Sequence, residues 1–235
     1  MSVLNRQNFD TKEQLALSLA DETCNALCSG IEENGRASLA VSGGSTPALF
    51  FAKLSEREID WSKVTVTLVD ERWVDEADPR SNARLVKEKL LNGLAGAATF
   101  VPLFTGDETP EEGTLALEDR LAASVSFPLD AVILGMGTDG HTASFFPGGD
   151  QLDVALDSNG SSTVVAMRAD GAGEPRITFT LPVLLAANHL VLHIEGNDKQ
   201  DVLAKALEEG PVEDMPIRAV LKGLRTKPTH IVWAP

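Results

Sequence analysis

The run Asp130–Pro147, DAVILGMGTDGHTASFFP, constrains this chain more than any other stretch. Its AVILGM segment has no polar side chain. A strand that turns neither face to water belongs inside a sheet covered on both sides, as in parallel α/β folds. The run then breaks into Gly135, Gly137 and Gly140, with Asp139 and His141 set among them. Thr142, Ala143 and Ser144 are expected to open a short helix that Pro147 ends. In open α/β sheets, ligands bind just beyond the carboxyl ends of central strands. A strand that delivers an imidazole to that place marks a candidate site of chemistry.

The same pattern recurs upstream. Ser38–Val41 reads as a short apolar strand that runs into Ser42-Gly43-Gly44-Ser45-Thr46-Pro47, followed by an amphipathic helix from Ala48 to Leu54. Two readings of the turn stand. It can be a phosphate cradle, with glycines admitting the ligand to the backbone and free N–H groups at the helix start pointing at it. Ser42, Ser45 and Thr46 would then add hydroxyl donors. It can equally be a plain βα turn with Thr46 as N-cap. Val64–Val69 reads as a second buried strand and ends in Asp70-Glu71-Arg72. That cluster could be a solvated strand end. If the strands are parallel, however, it shares a sheet edge with the other two polar turns. A polar loop, Trp73–Arg80, leads to a helix that starts at Ser81-Asn82 and runs to Leu91.

Elsewhere, helical spacing covers Thr11 to about Ile31, with Thr11 and Gln14 as a capping box. Ala98–Leu103 suits an edge strand because of Pro102, and Glu111–Ala123 an acidic helix. Strands are expected at Thr163–Met167, Arg176–Leu181, His189–Glu195 and Thr229–Trp233, and helices at Pro182–Ala187, Gln200–Leu207 and Ile217–Leu221. Stretches near 93–97, 106–113 and 148–162 read as surface loops. Strand–helix alternation through most of 235 residues argues an α/β fold with a doubly wound, largely parallel sheet and right-handed crossovers. Dense strand signals after residue 160 add a smaller, partly antiparallel portion.

The formal charge of −15 disfavours nucleic acid and anionic membrane surfaces as partners. It also means that an anionic substrate has to be captured by local donors. The two cysteines, Cys24 and Cys28, share a helix face as small apolar residues and suit a reducing, cytoplasmic setting. MSVLNRQNFD has no apolar core and is not read as a signal peptide. No apolar run approaches the ~18 residues of a membrane span.

Of four histidines, His189, His193 and His230 lie in strand-like runs and are read as structural. His141 differs, because it follows a glycine-rich strand exit with Asp139 two residues before it. An acid there can orient the ring and hold its tautomer. GMGTDG also matches the dinucleotide fingerprint GxGxxG. That fingerprint needs a long following helix and an acid ending the next strand, and Pro147 removes the first requirement. Neither metal-ligand spacing nor a GxSxG elbow is present, so no metal and no serine nucleophile is expected. A histidine, an acid and an arginine without a nucleophile suit general-base activation of water on an electrophilic carbon.

Together SGGSTP, DERWV followed by SN, GMGTDGHTASFFPG, PRITFTLPVLLAA and GNDKQ resemble the sugar-phosphate isomerase/lactonase superfamily, and most closely its 6-phosphogluconolactonase family. The likeness runs in order from about residue 38 to about 207. It implies a Rossmann-like, lactonase-like fold over one domain, 1–235, and no cofactor. The implied reaction is hydrolysis of 6-phospho-D-glucono-1,5-lactone to 6-phosphogluconate, in the oxidative branch of the pentose phosphate pathway. By the same resemblance His141 takes a proton from water and returns it to the ring oxygen, and Asp139 orients it. Asp70 matches a functional acid, and Arg72 stabilises developing negative charge. The phosphate rests on Ser42, Gly43, Gly44, Ser45 and Thr46, with Arg176 and Lys199 as side-chain donors. The related aminosugar-6-phosphate deaminases typically continue the histidine motif with Asn-Glu-Pro, where this chain has Phe145-Phe146-Pro147. They usually have Asp-Glu-Tyr where it has Asp70-Glu71-Arg72. A deaminase and a non-catalytic sugar-phosphate sensor are the alternatives. A monomer or weak homo-oligomer binding a small sugar-phosphate lactone is expected.

Overall fold

A computed structural model describes residues 3–235. Eighteen regular elements follow in chain order: β1 (Leu4–Asn8), α1 (Lys12–Asn34), β2 (Ala37–Val41), α2 (Ala48–Ser55), β3 (Val64–Leu68), β4 (Asp70–Arg72), α3 (Asn82–Lys89), β5 (Thr99–Val101), α4 (Pro110–Ser124), β6 (Ala131–Leu134), α5 (Leu152–Leu156), β7 (Val164–Met167), β8 (Arg176–Phe179), α6 (Leu181–Ala186), β9 (His189–Glu195), α7 (Asn197–Leu207), α8 (Ile217–Lys222) and β10 (Thr229–Ala234).

Seven strands form one sheet in the order β1-β10-β9-β6-β2-β3-β5. Every pairing in it is parallel. From β2 the chain builds outward through β3 and β5, then returns to the other side of β2 and builds through β6, β9 and β10. The order therefore reverses between β2 and β6, which is where such sheets open a crevice at their carboxyl edge. The core follows from the strand sequences. All of β2 and β6 is buried, and each large apolar side chain there contributes roughly 1.5–3 kcal/mol by leaving water. Helix α1 lies across β2, β6, β9 and β10. Thr11 caps it by accepting from the Gln14 amide at 3.2 Å, and Gly35 ends it in the left-handed region at φ 74°.

The amino ends of the central strands are tied by one buried carboxylate. Asp130 accepts from the Ser38 amide at 2.8 Å, the Ser38 hydroxyl at 3.3 Å and the Asn188 side-chain amide at 3.3 Å. Gly30 of α1 packs directly on it.

Three sequence expectations change. Asp70–Arg72 is not a tip of the main sheet but a strand of a second one, β4-β8-β7, whose pairings are antiparallel. Val69 makes the transfer, because its amide bonds Val41 O at 3.0 Å while its carbonyl accepts from Phe179 N at 2.9 Å. The antiparallel portion after residue 160 is thus β7 and β8 only; β9 and β10 join the parallel sheet. Thr142–Ser144 is a turn rather than a helix, with Ala143 at φ 47°. Side-chain bonds hold it there: Thr142 Oγ1 donates to Gly135 O at 2.7 Å and Ser144 Oγ to Asp70 at 2.6 Å. In addition, β1 forms from the polar LNRQN as an edge strand on β10, and the loop 148–162 contains α5.

In a helix interior, glycine to alanine ordinarily stabilises by about 1 kcal/mol. A Cβ at Gly30 would stand 2.6 Å from the Asp130 carboxyl group. Gly30→Ala is therefore expected to destabilise the fold, by roughly 1–3 kcal/mol. Urea unfolding checks this through a lowered midpoint at unchanged slope.

Candidate active site

At the switch point lies a cavity of about 340 Å³. The turn after β2 contributes Ser42, Gly43, Gly44, Ser45 and Thr46 to its wall. The turn after β6 contributes Gly135 to Gly137 and His141, β4 contributes Asp70 and Arg72, β8 contributes Arg176, and the first turn of α7 contributes Lys199. Asp139 lies behind His141 rather than in the wall.

The two glycine turns are knitted together, because Ser42 N donates to Ile133 O at 3.0 Å and Gly135 N donates to Ser42 Oγ at 3.1 Å. Gly44 sits at φ 90°, where residues with a side chain are strained. The N-cap position of α2 is taken by Pro47, not Thr46: Pro47 is already in the helical region and its carbonyl accepts from Phe51 N at 2.8 Å. No side chain caps that helix.

The imidazole is held by a short local network. Asp139 Oδ1 accepts from the His141 amide at 3.1 Å and lies 2.6 Å from its ring Nδ1. That hydrogen bond, against the opposing effect of burial, carries the Asp139 carboxyl down to about 2. The ionised carboxylate can only accept, so Nδ1 carries a proton, and in the neutral imidazole the lone pair is then on Nε2. The ring lies on Phe146 with centroids 4.4 Å apart. A side chain at Gly137 would overlap both the ring and Asp139.

Charges deeper in the wall have partners close by, although Arg176 Nε is buried without a hydrogen bond. Asp70 accepts from Ser144 Oγ at 2.6 Å and lies 4.0 Å from Arg176. Arg176 donates to Ala172 O at 2.6 Å and stands over the Phe146 ring; burial lowers its pKa. Arg72 Nη1 donates to Arg80 O at 2.6 Å and to Asn82 Oδ1 at 2.9 Å. Glu71 is fully buried and points away from the cavity onto the start of α3. It accepts from the amides of Arg72, Asn82 and Ala83 at 2.7–2.8 Å and from Ser81 Oγ at 3.2 Å.

A family model described as glucosamine-6-phosphate isomerases/6-phosphogluconolactonase matches residues 10–233. The chain belongs to this family. The 6-phosphogluconolactonase of Rhizobium meliloti is 53% identical to it over 231 residues, 98% of this chain and 99% of that protein. That of Pseudomonas aeruginosa is 40% identical, over 97% of this chain and 94% of the other. The crystal structure of a 6-phosphogluconolactonase from Shewanella baltica superposes with a TM-score of 0.94 at 40% identity, covering 100% of this chain and 98% of that one. A monomeric glucosamine-6-phosphate deaminase shares the fold, with a TM-score of 0.78 at 18% identity.

Within this lactonase-family fold, several wall residues escaped sequence reasoning. Asn82 donates to Asp70 O at 3.0 Å, holds Arg72, and fills the space a Cβ at Gly43 would need. The SN after DERWV was the available signal. Glu174, in a loop without periodicity, stands behind the wall, 3.9 Å from Arg72. His193, read as structural, lines the cavity from the carboxyl end of β9. His189 and His230 pair with each other outside it, ring centroids 4.7 Å apart. Burial holds His189 down to about 4. Cys24, on α1, is raised to about 11 by burial and by Cys28.

Burial pushes the Glu71 carboxyl from the ordinary 4.5 up to about 7, with the three amide bonds opposing it. Between those values the folded chain holds a proton that the unfolded chain has released. The stability this contributes is complete below pH 4.5 and is lost as pH rises through 7. Melts across that window are expected to show a loss on the order of 3 kcal/mol, and Glu71→Gln to flatten the slope.

Proposed function

We propose that this chain hydrolyses 6-phospho-D-glucono-1,5-lactone to 6-phosphogluconate, with His141 as general base. The single observation that carries the reading is His141, backed by Asp139, in the wall of the same cavity as the Ser42–Thr46 turn. A lactone with a phosphate at its far end spans that arrangement.

In this reading the phosphate sits on the amides and hydroxyls of Ser42, Gly43, Gly44, Ser45 and Thr46. Lys199 and Arg176 supply positive charge. The carbonyl carbon then faces His141. Nε2 takes a proton from water as the oxygen attacks, and Asp139 steadies the imidazolium that forms. Arg72 stabilises the negative charge on the carbonyl oxygen, a contribution often worth about 3 kcal/mol of barrier. Collapse of the tetrahedral adduct breaks the bond to the ring oxygen, and the imidazolium returns its proton there. Atoms balance without a cofactor, and the carboxylic acid formed releases its proton to solvent to give the carboxylate. Asp70 holds Ser144 and faces Arg176, so its role is to keep that side of the wall in place.

The residues beneath the imidazole favour the lactone over an aminosugar. Phe145 and Phe146 are buried there, and neither offers the carboxylate that the deaminase motif carries at that point. Freshly prepared lactone in a pH-stat is expected to be consumed well above the buffer rate, and ammonia release from glucosamine 6-phosphate to be absent. Hydrolysis at the buffer rate defeats the proposal.

His141→Ala is expected to lower kcat about a hundredfold or more, the range for a lost general base. Lys199→Ala is expected to raise KM roughly tenfold with kcat little changed, as for one lost charge-assisted hydrogen bond. Steady-state kinetics on both variants separates the two roles.

A further inference from the structure

One polar group in the cavity wall has no part in the mechanism above. His193 is 3% exposed and lines the cavity near the end of β9. Its strand pairs with β6 so that Leu192 lies opposite Leu134. His193 is therefore level with Gly135, whose amide bonds Ser42. On its other side the ring meets the edge of Phe50, in the first turn of α2, with centroids 6.2 Å apart at 81°. Both contacts put it at the glycine-serine turn, not at His141.

Its two nitrogens are unequal. Nε2 lies 3.1 Å from Glu195 Oε1, and Glu195 also pairs with Lys12 at 3.2 Å. Burial alone would raise the Glu195 carboxyl, but the His193 bond and the Lys12 charge bring it below its ordinary value. Glu195 is thus an ionised acceptor, and Nε2 carries the hydrogen. Nδ1 makes no hydrogen bond among the described residues and is not one of their sealed, unpaired atoms. A buried imidazole held by one nitrogen, with the other left open to a cavity, is arranged for a ligand.

We propose that His193 is a further phosphate-binding residue, oriented by Glu195 so that Nδ1 meets a phosphate oxygen held on the Ser42–Thr46 turn. One proton is shared between them. Either the phosphate O–H donates to the Nδ1 lone pair, or Nδ1–H of an imidazolium donates to the dianion, with Glu195 balancing the ring's charge. Both forms carry the same total charge, because they differ only in which partner holds the shared proton. The proposal rests on the phosphate position in the reading above.

Two substitutions distinguish binding from packing. The side-chain amide nitrogen of asparagine falls near the place of Nδ1, and that of glutamine near Nε2. His193→Phe is expected to raise KM at least roughly fivefold, with kcat within about twofold. His193→Asn is expected to recover much of that loss and His193→Gln little of it. The reverse order, or a KM within twofold of wild type in all three, overturns the proposal. Should the variants fold poorly, the wild-type chain serves. On titration with inorganic phosphate, the His193 Nδ1 nitrogen resonance is expected to move toward the protonated position. A fixed resonance while phosphate competitively inhibits hydrolysis overturns the role of His193 alone. Absence of any phosphate binding overturns it together with the phosphate position it rests on.

Discussion

Seven strands running the same way place all their carboxyl ends on one rim, and the candidate site opens on that rim. Past the last ladder bond of each strand, backbone groups are free to bond something else. Where the strand order reverses, between β2 and β6, no connection covers them. The turns after these two strands are neighbours because the strands are paired, Val41 against Ile133. Residues some ninety positions apart thereby share one wall. The opposite rim is closed by Asp130, whose bonds to Ser38 and Asn188 hold the same strands at their amino ends.

The second sheet deals with charge. Asp70, Glu71 and Arg176 are nearly or wholly buried, and each would be costly there if left alone. β4 and β8 bring Asp70 and Arg176 to the same wall, and the start of α3 supplies amides to Glu71. This also resolves how a chain of charge −15 could accept an anion. Exposed carboxylates beyond about 10 Å are screened by salt, whereas donors lining a cavity act at short range. Arg72, Arg176 and Lys199 all stand in that cavity wall.

Features that depend on near neighbours in the chain were legible. The buried strands, the long helix capped at Thr11 and the glycine-rich exits each follow from local pattern, and the spacing of Asp139 and His141 allowed the contact that the folded loop makes. Features set by distant partners were not. Thr142-Ala143-Ser144 has a helix-compatible sequence, yet its hydroxyls find Gly135 and Asp70 and pull it into a turn. The polar run Leu4–Asn8 becomes a strand only because β10 offers an edge. The position of His193 was visible in the alternation of β9, but the cavity beside it was not, since that depends on which strands flank β9.

By itself, then, the amino-acid order determined an α/β chain with three polar exits from apolar strands, an imidazole beside an acid, and the motifs that resemble one enzyme family. Those are short-range properties, governed by backbone preference and by which side chains exclude water. Only the tertiary structure decided that the exits share one cavity, that Asp70–Arg72 leaves the main sheet to pair with β8, and that Asn82 and His193 join the wall. Pairing between strands far apart in the chain is settled by total burial and backbone bonding over the whole sheet, and no local window of residues contains that sum.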